Sequence, residues 1–452
     1  MNAFAGTGKT STQVRYAEKH PELRMLYIAF NRSVREEAEQ KFPPNVSCKT
    51  SHQLAWVTHD KYYKHRFANS LRLNDIYRAL GIDNWGLVKA VQDTLKNFMG
   101  SADSTIIIRH CPFLAEDSGL SLMREYIIEL SQSLWQRMIS TDDDFPVTHD
   151  VYLKLYQLSS PDLSQRFDVI LFDEAQDANP VTHDFIFRHT GKLIMVGDAH
   201  QQIYRFRRAV DALNAPQLAH ADRLWLTNSF RFGANIACVA NALLALDDET
   251  HQVVGCGGED EVHFSLPRKG YPHRAILSRT VAGVIGAALE ANSNHDSVFW
   301  VNGIDAYRVN ELINLHWFSL NEHKKMGSRQ LSSEYKNYQE YMRVAEASDD
   351  QEMLQSIKII DKFYPLPKKI NAMRQYTVDE ENAASVTVTT AHRAKGLEWP
   401  VVELNSDFPD ILDSEIDKAN RRDEINLLYV AATRARKTLI ANSVIENVVR
   451  AS

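Results

Sequence analysis

Ala3-Phe4-Ala5-Gly6-Thr7-Gly8-Lys9-Thr10 decides the reading of this chain. A bound polyphosphate needs backbone N–H groups turned inward, a cation and a hydroxyl. Gly6 and Gly8 lack the Cβ that would block such a turn, Lys9 supplies an ammonium for the terminal phosphates, and Thr10 supplies a hydroxyl that reaches a metal ion. Ala5, Gly6, Thr7, Gly8, Lys9 and Thr10 are therefore candidate nucleotide-binding residues, with Thr10 a candidate Mg²⁺ ligand. The strict pattern carries a glycine where Ala3 stands, and an ordinary strand-to-helix turn uses the same residue types. Such loops leave a buried strand, and Asn2 to Ala5 are the residues available for it.

Outward from the loop the hydrophobic pattern alternates. Ser11 to Lys19 reads as a helix, Arg24 to Phe30 as an apolar strand and Asn31 to Lys41 as a charged helix, the rhythm of a parallel sheet. From about Asp60 to Ser160 helical segments dominate, such as Asn84 to Met99 and Leu120 to Ser140. Strand signals return at Phe167 to Phe172 and Leu193 to Val196, each leading into acidic residues at what should be the carboxyl edge of a sheet. A second α/β region is expected from Arg274 to Leu277, Ser297 to Val301, Ser385 to Thr389 and Leu439 to Ala441. A charged, Tyr-rich helical insert occupies Trp317 to Glu381.

The chain has 452 residues, 44% of them hydrophobic, enough for several cores. Lys plus Arg number 51 against 58 Asp plus Glu, a net charge of −7, so nucleic-acid binding would use local patches. Cysteines 48, 111, 238 and 256 form no CxxC pair and read as reduced thiols. The sequence shows no export signal and no apolar run long enough to span a membrane.

Two further stretches carry chemistry. Phe172-Asp173-Glu174-Ala175-Gln176-Asp177 follows a strand, placing Asp173 to hold Mg²⁺ and Glu174 to orient or deprotonate an attacking water, unless it is merely an acidic loop. In Val196 to Arg207, Gln201 can donate to a γ-phosphate oxygen and accept from that water. Tyr204, Phe206 and Arg207 offer aromatic faces and a cation for a single strand, or alternatively a core pair beside a solvated arginine.

In this order the boxes resemble those of superfamily 1A helicases of the UvrD/Rep/PcrA type. Tyr27 to Ala38 and Cys48 to Ala55 look most like the motor portion of the F-box DNA helicase and its prokaryotic or viral relatives. The resemblance implies two RecA-like P-loop parallel-sheet domains, each with a mainly helical insertion. The expected division is 1–60 and 163–225 for the first domain with its insert at 61–162, and 226–316 and 383–452 for the second with a short insert at 317–382. It also assigns roles. In Leu226 to Arg231, Phe230 stacks on adenine and Arg231 contacts the γ-phosphate. In Val386 to Trp399, Glu398 binds the ribose while Thr390 and His392 approach DNA. In Leu428 to Arg436, Arg434 is the arginine finger of the second domain. Phe30, Asn31, His52 and Arg279 join the expected DNA contacts.

The implied activity is ATP- and Mg²⁺-dependent movement on single-stranded DNA, 3′ to 5′, unwinding duplex or stripping bound protein. Expected partners are single strands and duplex–single-strand junctions, with no membrane. The expected location is the nucleoid of a bacterial or viral host or a eukaryotic nucleus. The chain departs from the pattern in lacking room for an upstream glutamine motif, in Gln202 and Arg208 at common serine and glycine positions, and at Val281. An ATP-incompetent nucleic-acid-binding remnant is the rival reading. A P-loop kinase is a third, which leaves Phe230, Glu398 and Arg434 without a role.

Overall fold

The computed structural model describes residues 1–112, 121–205, 210–267 and 270–451, without the side chains of 57–62 and 121. Its strands are β1 (Asn2–Ala3), β2 (Met25–Ala29), β3 (Val46–Thr50), β4 (Val169–Phe172), β5 (Lys192–Met195), β6 (Trp225–Leu226), β7 (Asn228–Ser229), β8 (Val254–Gly255), β9 (Glu261–His263), β10 (Arg274–Ser278), β11 (Val298–Trp300), β12 (Val386–Thr390), β13 (Trp399–Leu404) and β14 (Ala435–Ile440). Among the described residues every strand pair is parallel.

The first sheet runs β3-β2-β4-β5. It is extended by a bridge from Asn2 to Gly197, just past β5, and β1 then pairs with β6. The short strand leading into the glycine loop is thus seated between Gly197 and Trp225–Leu226. The second sheet runs β11-β12-β10-β13-β14-β9. A parallel sheet covered by helices on both faces buries its strands entirely. Accordingly Met25-Leu26-Tyr27-Ile28-Ala29 of β2 is buried throughout, and so is Val386-Thr387-Val388-Thr389-Thr390 of β12. The alternation in β12 imitates a half-exposed strand. Its threonines are nonetheless inside, where Thr387 Oγ1 donates to Glu381 Oε1 at 2.8 Å and Tyr307 OH donates to Thr389 Oγ1 at 3.2 Å.

Helices Ser51–Tyr63, Leu73–Leu80, Trp85–Gly100, Ser121–Ile139 and His149–Leu158 lie between β3 and β4. Buried Arg66 ties them together, donating to the carbonyls of Met138 at 3.1 Å and of Arg137 and Phe145 at 3.3 Å. Between β11 and β12 lie Val309–Ser319, Gln330–Glu334, Tyr338–Ala347, Gln351–Lys362 and Leu366–Tyr376. The two helical groups touch, with Arg72 Nη1 2.7 Å from Glu334 Oε1. No helix among the described residues is long and apolar enough to cross a membrane.

Two expectations shift in detail. The helix after the loop begins at Lys9 rather than Ser11, because Gly8 at φ 85° turns the chain straight into it. Val46–Thr50, at the edge of the first sheet, and Trp399–Leu404, inside the second, are strands that their polar or proline-containing sequences disguise.

Candidate functional site

The glycine loop leaves β1 and is buried against the second core: Phe4 and Ala5 pack with Phe232, Ile236 and Tyr429. Gly6 (φ +74°) and Gly8 (φ +85°) both occupy the left-handed region that favours glycine. A Cβ on Gly6 would also stand 2.6 Å from Arg231 Cβ and Ser229 Oγ. Gly8 caps helix Lys9–Lys19 without a side-chain hydrogen bond, so the first N–H groups of the helix remain available to an anion. From the opposite wall the Phe230 N–H donates to Gly6 O at 2.9 Å, and the Ala5 N–H donates to the Tyr429 hydroxyl at 3.1 Å. The loop is therefore clasped by both sheet units.

At the tip of β4, Thr10 Oγ1 donates to Asp173 Oδ2 at 3.3 Å and Tyr27 OH donates to the same oxygen at 2.7 Å. Burial, then the neighbouring Glu174 charge, push the Asp173 carboxyl up. Glu174 itself sits in left-handed backbone (φ 49°, ψ 42°), strained for a residue with a Cβ. Lys9 Nζ lies 3.8 Å from one of its oxygens and Lys395 Nζ 3.4 Å from the other, while Gln176 Nε2 donates at 2.5 Å. Burial disfavours its charge, yet Lys9 and Lys395 hold the Glu174 carboxyl well below the usual carboxylate range. Two adjacent carboxylates thus have their proton affinities driven in opposite directions, with Glu174 held ionised by the two ammonium groups.

Lys395 comes from the second sheet unit. Besides Glu174 it pairs with buried Asp177 and donates to Gln201 O at 2.8 Å. Burial raises the Asp177 carboxyl to about 6 against the pull of that ammonium. Gln201, also buried, gives its side-chain N–H to Asp198 Oδ2 at 2.6 Å.

Across from the loop, Arg231 Nε donates to Glu398 Oε2 at 2.7 Å and its Nη1 to Thr433 O at 3.0 Å. The expected phosphate contact and the expected ribose contact are paired with each other here. Arg434 is buried and meets neutral oxygens: Val430 O at 2.9 Å, Leu397 O at 3.3 Å and Thr433 Oγ1 at 3.2 Å. Among the described residues no carboxylate lies within ion-pair distance of it. Burial, reinforced by Arg231, lowers its pKa to about 9. A glycine cradle, an ammonium, a hydroxyl–carboxylate pair and a buried guanidinium hydrogen-bonded only to neutral oxygens make a donor set that fits a nucleoside triphosphate with Mg²⁺. Phe230 stands 68% exposed beside the loop.

The expected strand contacts divide. Phe30 stacks on Tyr204 with centroids 5.4 Å apart and planes 17° from parallel, and Tyr204 OH donates to His392 O at 3.1 Å, so these three come together. Phe206 and Arg207 lie outside the described residues. Asn31 Oδ1 accepts from Val34 N at 2.9 Å and Ser33 Oγ at 2.8 Å as a helix N-cap. His52 is 3.7 Å from Asp150 and edge-on to Tyr152. Thr390 is buried, its hydroxyl accepting from Arg393 N at 3.3 Å. Arg279 spends its guanidinium on Glu424, with contacts of 2.9 and 2.7 Å. Lys395, Asp177, Asp198 and Tyr429 drew no role from the sequence. Each acts through a partner more than 190 residues away or through its burial, which spacing does not display.

A sequence model of the UvrD-like helicase C-terminal domain matches residues 95–445. Over 98% of its length the chain is 34% identical to F-box DNA helicase 1 of Gallus gallus and 30% identical to F-box DNA helicase protein 1 of Schizosaccharomyces pombe, spanning 47% and 55% of those proteins. The chain thus spans about half the length of these curated relatives. It is also 22% identical to a probable DNA helicase II homolog of Mycoplasma genitalium, covering 82% of that protein. The two parallel sheets, the clasped loop between them and these matches lead to one assignment: the chain belongs to the UvrD-like helicase family, its sheets being the two RecA-like domains of that fold.

Proposed function

We propose that this chain is an ATP-driven DNA motor that moves 3′ to 5′ on single-stranded DNA, unwinding duplex at single-strand junctions or stripping bound protein. The observation that carries the reading is Arg434, a buried guanidinium with only neutral partners, set beside Arg231, which itself packs on Gly6 of the glycine loop. A buried charge that touches no counterion is costly, and a phosphate anion would supply one.

In this reading Ala5 to Lys9 hold the triphosphate of ATP, Phe230 packs on the base, and Glu398 leaves Arg231 to take the ribose. Thr10 and Asp173 hold Mg²⁺, which neutralises phosphate charge when bound. Glu174 orients the attacking water and takes its proton, Gln201 aligns that water, and Arg231 and Arg434 stabilise transition-state charge from the second domain. Phe30, Tyr204 and His392 form a base-stacking platform, joined by Phe206, Arg207, Asn31, His52, Thr390 and Arg279 as the strand's wider contacts. The domain division proposed is the one expected above, 1–60 with 163–225 and 226–316 with 383–452, the inserts lying at 61–162 and 317–382. The protein works wherever its DNA is, in a nucleoid or a nucleus.

Lys9→Ala and Glu174→Gln test the reading. Both are expected to abolish DNA-stimulated hydrolysis, and Glu174→Gln to keep nucleotide binding. Turnover surviving in both would refute it, whereas a wild-type chain that binds DNA without hydrolysing ATP would favour the remnant.

A further inference from the structure

His200 is buried beside Gln201, 6% exposed, and takes no part in the chemistry above. It belongs to the turn Ala199–Gln201 of the first domain, yet both ring nitrogens face carboxylates of the second. Nε2 is 3.0 Å from Glu249 Oε2 and Nδ1 is 3.2 Å from Asp247 Oδ2, the latter an ion-pair approach off the hydrogen-bond direction. These two residues follow helix Ala234–Ala245. Asp247 is also met by Arg422 Nε at 3.1 Å. The other oxygen of Glu249 accepts from His251 N at 2.7 Å and faces His251 Nδ1 at 2.9 Å. From its own turn, Asp198 Oδ1 accepts the His200 N–H at 3.1 Å. Two rings also lie near it: Phe4 of the glycine loop at 6.3 Å and Tyr429, on the helix packed against this turn, at 6.4 Å.

A neutral imidazole would turn a lone pair toward one of these carboxylates. Only the imidazolium carries N–H on both nitrogens. We propose that His200 is a positioning residue: its imidazolium latches the Asp198–Gln202 turn of the first domain to the Asp247–Glu249 turn of the second, fixing where Gln201 stands during hydrolysis. The inference rests on the role given to Gln201 above. The coupling runs through Asp198, whose Oδ2 takes Gln201 Nε2 at 2.6 Å and Tyr429 OH at 3.3 Å, so that any movement of His200 pulls on the carboxylate that holds Gln201.

Burial works against the charge, but Asp247, Asp198 and Glu249 outweigh it, and the His200 pKa stands above its ordinary value. Burial also opposes charge on Glu249, yet His251 and His200 hold its carboxyl at about 2, keeping it ionised across the physiological range. With the folded pKa raised, the latch is complete below the ordinary imidazole range and is lost as pH rises through the folded value.

The test uses the full chain with ¹³C-labelled histidine, following the resonance that disappears in His200→Gln, alongside pH profiles of DNA-stimulated kcat. The resonance is expected to titrate above the ordinary imidazole value and to move to lower pH in Glu249→Gln. The alkaline limb of kcat, falling about tenfold per pH unit, is expected to move with it, while KM for ATP stays within about twofold. In His200→Gln this limb is expected to vanish. A resonance that titrates at or below the ordinary value, or kcat limbs that superimpose in wild type and Glu249→Gln, would overturn the latch. Should His200→Gln fail to fold, the Glu249→Gln profile still decides. A wild-type chain without hydrolysis would instead refute the nucleotide reading, with the resonance still reporting on His200.

Discussion

Replacing Arg434 by Met is expected to separate stability from turnover. The guanidinium is 2% exposed, and its three hydrogen bonds reach only Val430 O, Leu397 O and Thr433 Oγ1. Its pKa is lowered to about 9, chiefly through burial and then through Arg231. At about 1.4 kcal/mol for each tenfold loss of proton affinity, holding this cation inside costs the fold about 5 kcal/mol, even with Glu174 and Glu398 nearby. Losing the three hydrogen bonds cancels about 3 kcal/mol of the relief, and Met refills much of the volume. Without nucleotide the variant should therefore be about 2 kcal/mol more stable than wild type at pH 7, read from urea midpoints. Its DNA-stimulated kcat should fall by about 10³ or more. The sign with pH follows from the depressed cation: the cost is full below about pH 9 and shrinks as pH rises toward the ordinary arginine range, so wild type should regain ground there. A variant keeping kcat within tenfold, or unfolding several kcal/mol sooner, would refute the argument.

Other perturbations follow from the same geometry. Gly6→Ala places a Cβ 2.6 Å from Arg231 Cβ at φ +74°, so a loss of about 1–3 kcal/mol in thermal melts and weaker ATP binding are expected; an unchanged melt would contradict the clasped loop. Lys395→Ala strands Asp177 and Glu174, costing about 3–5 kcal/mol, and adding Asp177→Asn should recover part of it; no recovery would place the loss elsewhere. Phe30→Ala removes the outer ring of the Tyr204 stack and should weaken single-strand affinity by about 1–3 kcal/mol in fluorescence titrations, leaving DNA-free hydrolysis unchanged. Single-strand affinity should also fall as salt rises despite the net charge of −7, and salt-independent binding would argue against phosphate contacts.

What the sequence discloses is local. The glycine pattern marks the loop because φ > 0 and a close backbone approach restrict the residue type, and Gly6 meets both conditions. The apolar runs of β2 and β4 disclose central parallel strands because both faces are covered. The strand Val46–Thr50 escapes because Ser47 and Lys49 imitate a loop, although its pairing with β2 is complete. Asn31 obeys a local rule beside the motif: an asparagine three residues before the Val34 N–H caps the helix through its side-chain oxygen. The cross-domain ion pairs of Lys395, and the two carboxylates around His200, join elements far apart in sequence. No spacing rule encodes them, since they exist only once both sheets have folded against each other.

The central claim is that the cleft between the two sheets hydrolyses ATP under the control of a bound strand. The most direct measurement is the initial rate of phosphate release from the wild-type chain with Mg²⁺, with and without single-stranded DNA, beside Lys9→Ala as the blank. The expected rate is raised at least tenfold by DNA and is absent in Lys9→Ala. A wild-type rate that equals the blank under both conditions would contradict it.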